Sequence, residues 1–157
     1  MGRLRWMHLL RRFVQLGTAR RVLFAEAVLR ILVARLALSL LSFPRLARRL
    51  GSLVPPADSR IANAGNDNGP RESSIAREIS WAMTRAAHHL PFGASCLTQA
   101  IAAHGMLKRR GIASVMHFGA AKGEIEALET HAWLDAAGVK VTGYPVADHL
   151  AEIACLM

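Results

Sequence analysis

The sequence has few cysteines: two in 157 residues, Cys96 and Cys155, 59 positions apart and without a C-x-x-C pair. That excludes a disulfide framework and suits a reducing cytoplasm in which free thiols are open to chemistry. Acidic residues are nearly missing from the first third, where Glu26 stands alone against 11 arginines. Residues 1–50 therefore carry +10, and residues 51–157 carry −1. There is no uninterrupted hydrophobic run. Val22–Phe43 has about the ~20 residues a bilayer span needs, but Glu26, Arg30 and Arg35 break it. Central charges cost about 2.5–3.5 kcal/mol each on insertion, so a buried or surface-lying helix is expected rather than a span. The start, Met1-Gly2-Arg3-Leu4-Arg5, lacks the apolar core and small-residue cleavage site of a targeting signal. No repeat, zinc-finger spacing or aromatic–basic RNA motif occurs, so nucleic acid is not an expected partner. No histidine pair has metal-ligand context, so neither a metal nor another cofactor is expected. The basic third instead suits an acidic peptide or peripheral contact with an anionic membrane through residues 1–50.

A hydrophobic fraction of 52% excludes a disordered chain, and the length suits one domain. Residues 1–50 form a basic amphipathic helical segment. Leu4, Leu9, Phe13 and Leu16 recur at near-helical spacing over residues 3–16, Gly17-Thr18 interrupts with Thr18 as a cap, and a second helix runs from about Ala19 to Ser42. Eleven cations against one acid are too lopsided for an ordinary solvated face, so these helices are expected to bind something acidic or apolar; the alternative is that they only cover the core, with their arginines snorkelling outward. Residues 51–69, rich in Gly, Pro, Ser, Asn and Asp, read as a linker or loop. Residues 70–157 form the core unit. Pro70 suits the first position of a helix whose apolar face is Ile75, Ile79, Ala82, Ala86 and Leu90. After the loop Pro91–Ser95, Cys96 opens a helix carrying Leu97, Ala100, Ile101, His104 and Leu107 on one face, with Gly111 past its end. Strands are expected at about Ile112–Ala120, Glu129–Ala136 and Val139–Tyr144, the last two joined by a turn at Ala137-Gly138. The fold class is α+β.

Two residues in this pattern carry chemistry. A thiol at a helix start meets unpaired N–H groups and the positive end of the helix dipole, which stabilise negative charge on sulfur and on an adjacent oxyanion. A strand histidine facing it supplies a base. Cys96 and His131 fit that order as nucleophile and base. A lone cysteine is more often a small buried hydrophobe, and Cys155, beside Ile153 and Leu156, reads as one. His8, His88 and His89 lie near basic residues on solvated faces. His104, on the apolar face of the Cys96 helix, reads as a satisfied core histidine, and His117 is ambiguous.

Three blocks in order, Ser95-Cys96-Leu97-Thr98-Gln99-Ala100, Leu107-Lys108-Arg109-Arg110-Gly111-Ile112 and His131-Ala132-Trp133-Leu134, resemble the bacterial lasso-peptide maturation B2 proteins, which are transglutaminase-like cysteine peptidases. The resemblance covers about residues 70–157. It implies a papain/transglutaminase-like core in which the helix-borne Cys packs on a small antiparallel sheet, preceded by N-terminal helices. It implies a leader peptidase: the Cys96 thiolate, deprotonated by His131, attacks the leader–core amide of a precursor peptide, and water completes the hydrolysis. It also implies two partners, a PqqD-like leader-binding protein and an asparagine-synthetase-like macrolactam cyclase. Amide transfer in the manner of a transglutaminase and a non-catalytic scaffold for precursor and cyclase are the alternatives. The family often has an acidic third residue on the strand after the histidine. Pairing about the Ala137-Gly138 turn would set His131 opposite Tyr144, beside Gly143 and Thr142, none of them a carboxylate. Asp135 is about 13 Å along the same strand. The orienting group is then a backbone carbonyl, a water or Asp148.

Overall fold

The computed structural model describes residues 17–66, 69–122 and 128–157; the expected helix over residues 3–16 lies outside them. Helix α1 (Thr18–Leu40) is followed by α2 (Phe43–Leu50), strand β1 (Leu53–Val54) and α3 (Ser59–Asn66). Two long helices come next, α4 (Pro70–His89) and α5 (Cys96–Lys108), and then β2 (Ser114–Lys122), β3 (Leu128–Ala136), β4 (Val139–Thr142) and β5 (Ala151–Leu156). The strands form one antiparallel sheet in the order β1-β5-β2-β3-β4. The architecture is thus α+β, with helices preceding and packing on an antiparallel sheet.

Helix α5 lies between the sheet and α1, which explains why it is buried on more than the one expected face. Ala102, Ala103 and Met106 are enclosed along with Ala100, Ile101, His104 and Leu107. Helix α4 covers β4 and buries Ala76, Ile79, Ala82, Met83 and Ala86. Its Ser73 and Ser80 hydroxyls donate to the Ala137 and Val141 carbonyls at 2.7 and 2.8 Å. Ala27, Ile31 and Ala34 of α1 share one core with Ile79, Leu107, Met116 and Leu134. The N-terminal helix therefore helps to build the core.

Its three interrupting charges each contact the rest of the protein. The Glu26 carboxylate receives two hydrogen bonds from Arg110, at 2.7 and 3.2 Å, and this pairing holds its pKa below the usual carboxylate value despite its partial burial. Arg30 packs beside Gly105. Arg35 lies over the Phe92 ring at 4.8 Å and donates to the Phe92 carbonyl at 3.4 Å, tying α1 to the loop before Cys96. The apolar Leu29, Val33, Leu36 and Leu40 are left exposed. No helix among the described residues is long and apolar enough to cross a membrane.

The segment 51–69 contains more than a linker. Leu53 and Val54 pair with Leu156 and Cys155, and Asp58 caps α3 by accepting from the Arg60 N–H at 2.9 Å. Ile61 and Ala64 of α3 pack with Val54, Val115 and Cys155 on the sheet face away from α5. Elements of two and eight residues are too short to show a period. At α1 the cap is Gly17, and Thr18 is already helical. Ala137 and Gly138 both have positive φ, 51° and 71°, as a two-residue hairpin turn requires.

Candidate active site

Cys96 begins α5 because Ser95 caps it. The Ser95 hydroxyl oxygen accepts from the Thr98 N–H at 3.2 Å and lies 2.8 Å from the Thr98 hydroxyl. The Gln99 amide donates to the Ala94 carbonyl at 2.8 Å and folds the preceding loop against the helix. The N–H groups of Cys96 and Leu97, the first two helical residues, have no intrahelical acceptor, as at any helix start. Cys96 is half-buried.

His131 lies near the start of β3, paired with Gly119 of β2. Cys96, Leu97, His131, Ala132, Phe43 and Phe118 are among the walls of one cavity of about 440 Å³. The structure therefore brings the two residues singled out in the sequence to the same cavity, which is mostly apolar. Phe43 and Phe118 close part of it with their rings edge to face at 5.5 Å. Among the described residues the Cys96 thiol makes no hydrogen bond. In a free site such contacts are often long and tighten only around substrate.

The His131 ring is held from behind. Its Nε2 is 2.6 Å from the Gly143 carbonyl oxygen. A carbonyl only accepts, so Nε2 carries a proton, and Nδ1 is the acceptor of the neutral ring. Trp133 stacks on the ring at 6.1 Å. The register expected for β3 and β4 holds at Ala136↔Val139 and Asp135↔Lys140, then shifts by one at Leu134↔Thr142. This irregularity moves His131 out of line with Tyr144. Asp148 is exposed and makes no hydrogen bond to the ring. Asp135 is occupied elsewhere, accepting from the Tyr144 hydroxyl at 2.7 Å.

His104 is a satisfied core histidine. Its Nδ1 lies 2.9 Å from the Ser114 hydroxyl and its Nε2 lies 3.3 Å from the Leu50 carbonyl. Burial holds its pKa below the ordinary value. His88 and His89 are exposed, as expected; His8 lies outside the described residues.

His117, ambiguous in sequence, is the centre of a polar cluster that sequence reasoning missed. Its Nδ1 is 2.6 Å from a Glu152 carboxylate oxygen, and its Nε2 is 3.3 Å from Asp135. Burial opposes the charged ring, but the two carboxylates outweigh it and raise the pKa. Cys155 is fully buried beside it, 3.5 Å from Nδ1, and its thiol donates to Glu152 at 2.7 Å. Burial, then the Glu152 carboxylate, push this thiol up to about 12. Cys155 packs in an apolar cluster, as its neighbours in sequence suggested, and its thiol also joins this polar group. Trp133 stacks on the His117 ring at 5.4 Å and also on His131, so one indole separates the two histidines.

Searches of curated proteins and of solved structures gave no match. A family model described as "Transglutaminase-like superfamily", in which cysteine-based catalysis is usual, matches residues 37–155, most of the chain and both Cys96 and His131, and the chain belongs to that superfamily.

Proposed function

We propose that the protein is a cysteine peptidase that removes the leader from a lasso-peptide precursor, with Cys96 as nucleophile and His131 as base. The observation that carries this reading is the cavity bordered by a helix-start thiol and a strand histidine whose Nε2 proton is already engaged. His131 Nδ1 takes the thiol proton, and the sulfur attacks the leader–core amide carbon. The developing oxyanion faces the free N–H groups of Cys96 and Leu97. The imidazolium returns its proton to the amide nitrogen, and the core peptide departs as a free amine. Water, deprotonated by His131, then cleaves the thioester and releases the leader as a carboxylate. The resemblance of the Ser95–Ala100, Leu107–Ile112 and His131–Leu134 blocks to the B2 proteins supports the choice of substrate. In this reading a PqqD-like protein presents the leader, and a separate cyclase closes the ring.

The test is mass spectrometry of a lasso-type precursor incubated with the wild-type chain, Cys96→Ala or His131→Ala, with circular dichroism to check folding. Loss of cleavage in both folded variants is expected. Full cleavage by either overturns the mechanism, and a product lengthened by an added amine instead of hydrolysed would point to amide transfer.

A further inference from the structure

On the sheet face away from α5, Cys155, Glu152 and His117 point at one another from β5 and β2, and the chain needs an irregularity to bring them together. Residues i and i+3 of a regular strand lie on opposite faces. In β5 the pairing with β2 runs Phe118↔Ala154 and then Gly119↔Glu152, so Ile153 is an extra residue. This bulge turns Glu152 to the same side as Cys155 and directly against His117. Bulges re-aim side chains in this way and recur beside functional sites.

We propose that His117, Glu152 and Cys155 form a site for a single divalent transition-metal ion, with zinc the best fit. The donor atoms are the His117 Nδ1, a Glu152 carboxylate oxygen and the Cys155 sulfur, all within 4.8 Å of one another. Nitrogen, oxygen and sulfur together select zinc or a similar first-row ion over calcium or magnesium. Tetrahedral coordination at ordinary zinc bond lengths places nitrogen and sulfur about 3.5 Å apart, and here they are 3.5 Å apart. The carboxylate oxygen is closer, 2.6 Å from Nδ1 and 2.7 Å from the sulfur, as a hydrogen-bond acceptor. It has to withdraw by somewhat under ~1 Å to reach a tetrahedral corner, and the Glu152 side chain, 33% exposed, has the freedom to do so. Solvent would supply the fourth ligand from the same side.

The outer support of such a site is already in place. A metal-bound histidine usually gives its other N–H to a carboxylate. His117 Nε2 faces Asp135 at 3.3 Å, and the Tyr144 hydroxyl holds that carboxylate at 2.7 and 2.8 Å. The bound ion would join β2 to β5 behind Trp133, the indole that also stacks on His131. The site stands whether or not Cys96 is the nucleophile.

The experiment uses the full chain, stripped with a chelator and titrated with Zn²⁺, and with Co²⁺ as a spectroscopic probe. One equivalent of metal per chain is expected, with a thiolate-to-cobalt charge-transfer band that Cys96→Ser retains and Cys155→Ser loses. Cys155 is fully enclosed, so Glu152→Gln serves where the serine variant fails to fold, and it should weaken zinc binding at least tenfold with an unchanged circular dichroism spectrum. Asp135→Asn should weaken binding about 10–100-fold while keeping the band. Absence of the band in the wild-type chain, a band that follows Cys96 instead of Cys155, or zinc affinity unchanged in folded Glu152→Gln would each overturn the proposal.

Discussion

His131 Nε2 lies 2.6 Å from the carbonyl oxygen of Gly143. This places a backbone acceptor where a carboxylate often stands in the resembling family, and Gly143 also shows why no side chain can take that place. Its φ is +82°, and an added Cβ would strike the Ala132 carbonyl and come within 2.7 Å of the Trp133 Cα. Gly143→Ala should therefore cost stability, about 1–3 kcal/mol for the backbone strain alone. It should also slow precursor cleavage per folded molecule by displacing the carbonyl that fixes the ring. Urea denaturation and cleavage kinetics measure the two effects, and a variant unchanged in both would remove the carbonyl from the site.

The two thiols should differ sharply toward an alkylating reagent. Cys96 borders an open cavity, whereas Cys155 is fully buried and its thiol is pushed up to about 12. Iodoacetamide on the native chain near pH 7.5 should label Cys96 alone, and both thiols should react in denaturant. Peptide mapping reads the result. Prior labelling of Cys155 in the native state would contradict the burial on which its assignment rests.

The long helices were legible in sequence because their signals are local, whereas Ser59–Asn66 fell in the segment read as a linker. Pro70 does open α4, Cys96 does open α5, and Gly111, with φ +69°, does follow its end. The strands β2, β3 and β4 and the Ala137-Gly138 turn were also legible from alternation and turn chemistry. β5 was not, because Ala151–Leu156 contains a bulge that breaks the alternation of faces. The same bulge hid the His117–Glu152–Cys155 cluster, whose members come together across 35 and 38 positions. Cys96 and His131 could be picked out from helix-start and strand chemistry. The acceptor behind His131 could only be narrowed to a carbonyl, a water or Asp148, because a shift of one pairing position decides which group faces the ring. The contacts of the α1 arginines were not legible because their partners, Glu78 for Arg20 and Phe92 for Arg35, arrive from 58 and 57 positions away.

His104 should make the fold acid-sensitive. Burial depresses its folded-state pKa below the ordinary value of about 6.5. The unfolded chain then binds the extra proton first, so this contribution is fully present above about pH 6.5 and is lost as pH falls toward the folded value. His117 has the opposite sign, its raised pKa contributing below the ordinary value and fading as pH rises through the folded one. The two are separated by substitution. Urea midpoints from pH 7.5 to 5 should fall less steeply in His104→Gln than in the wild-type chain, after allowance for a lower stability overall. Parallel curves would mean that His104 is not the group responsible.

Leader recognition should depend on a second protein. An extended peptide gains affinity by adding to an exposed sheet edge, but the edges here are β1, of two residues, and β4, of four. Helix α4 also packs on β4 and donates to its Val141 carbonyl. Ordering a flexible leader costs about 1–2 kcal/mol per fixed residue, and edges this short offer few hydrogen bonds to offset it. A partner that grips the leader and delivers its scissile bond raises the local concentration to about mM with a short linker. Cleavage by the chain alone should thus be slow, and addition of the proposed PqqD-like partner should accelerate it by at least tenfold at micromolar precursor. A time course with and without that partner decides. Equal rates would mean that the leader is recognised on this chain itself, by a surface other than a sheet edge, and the exposed Leu29, Val33, Leu36 and Leu40 of α1 would then be the first place to substitute.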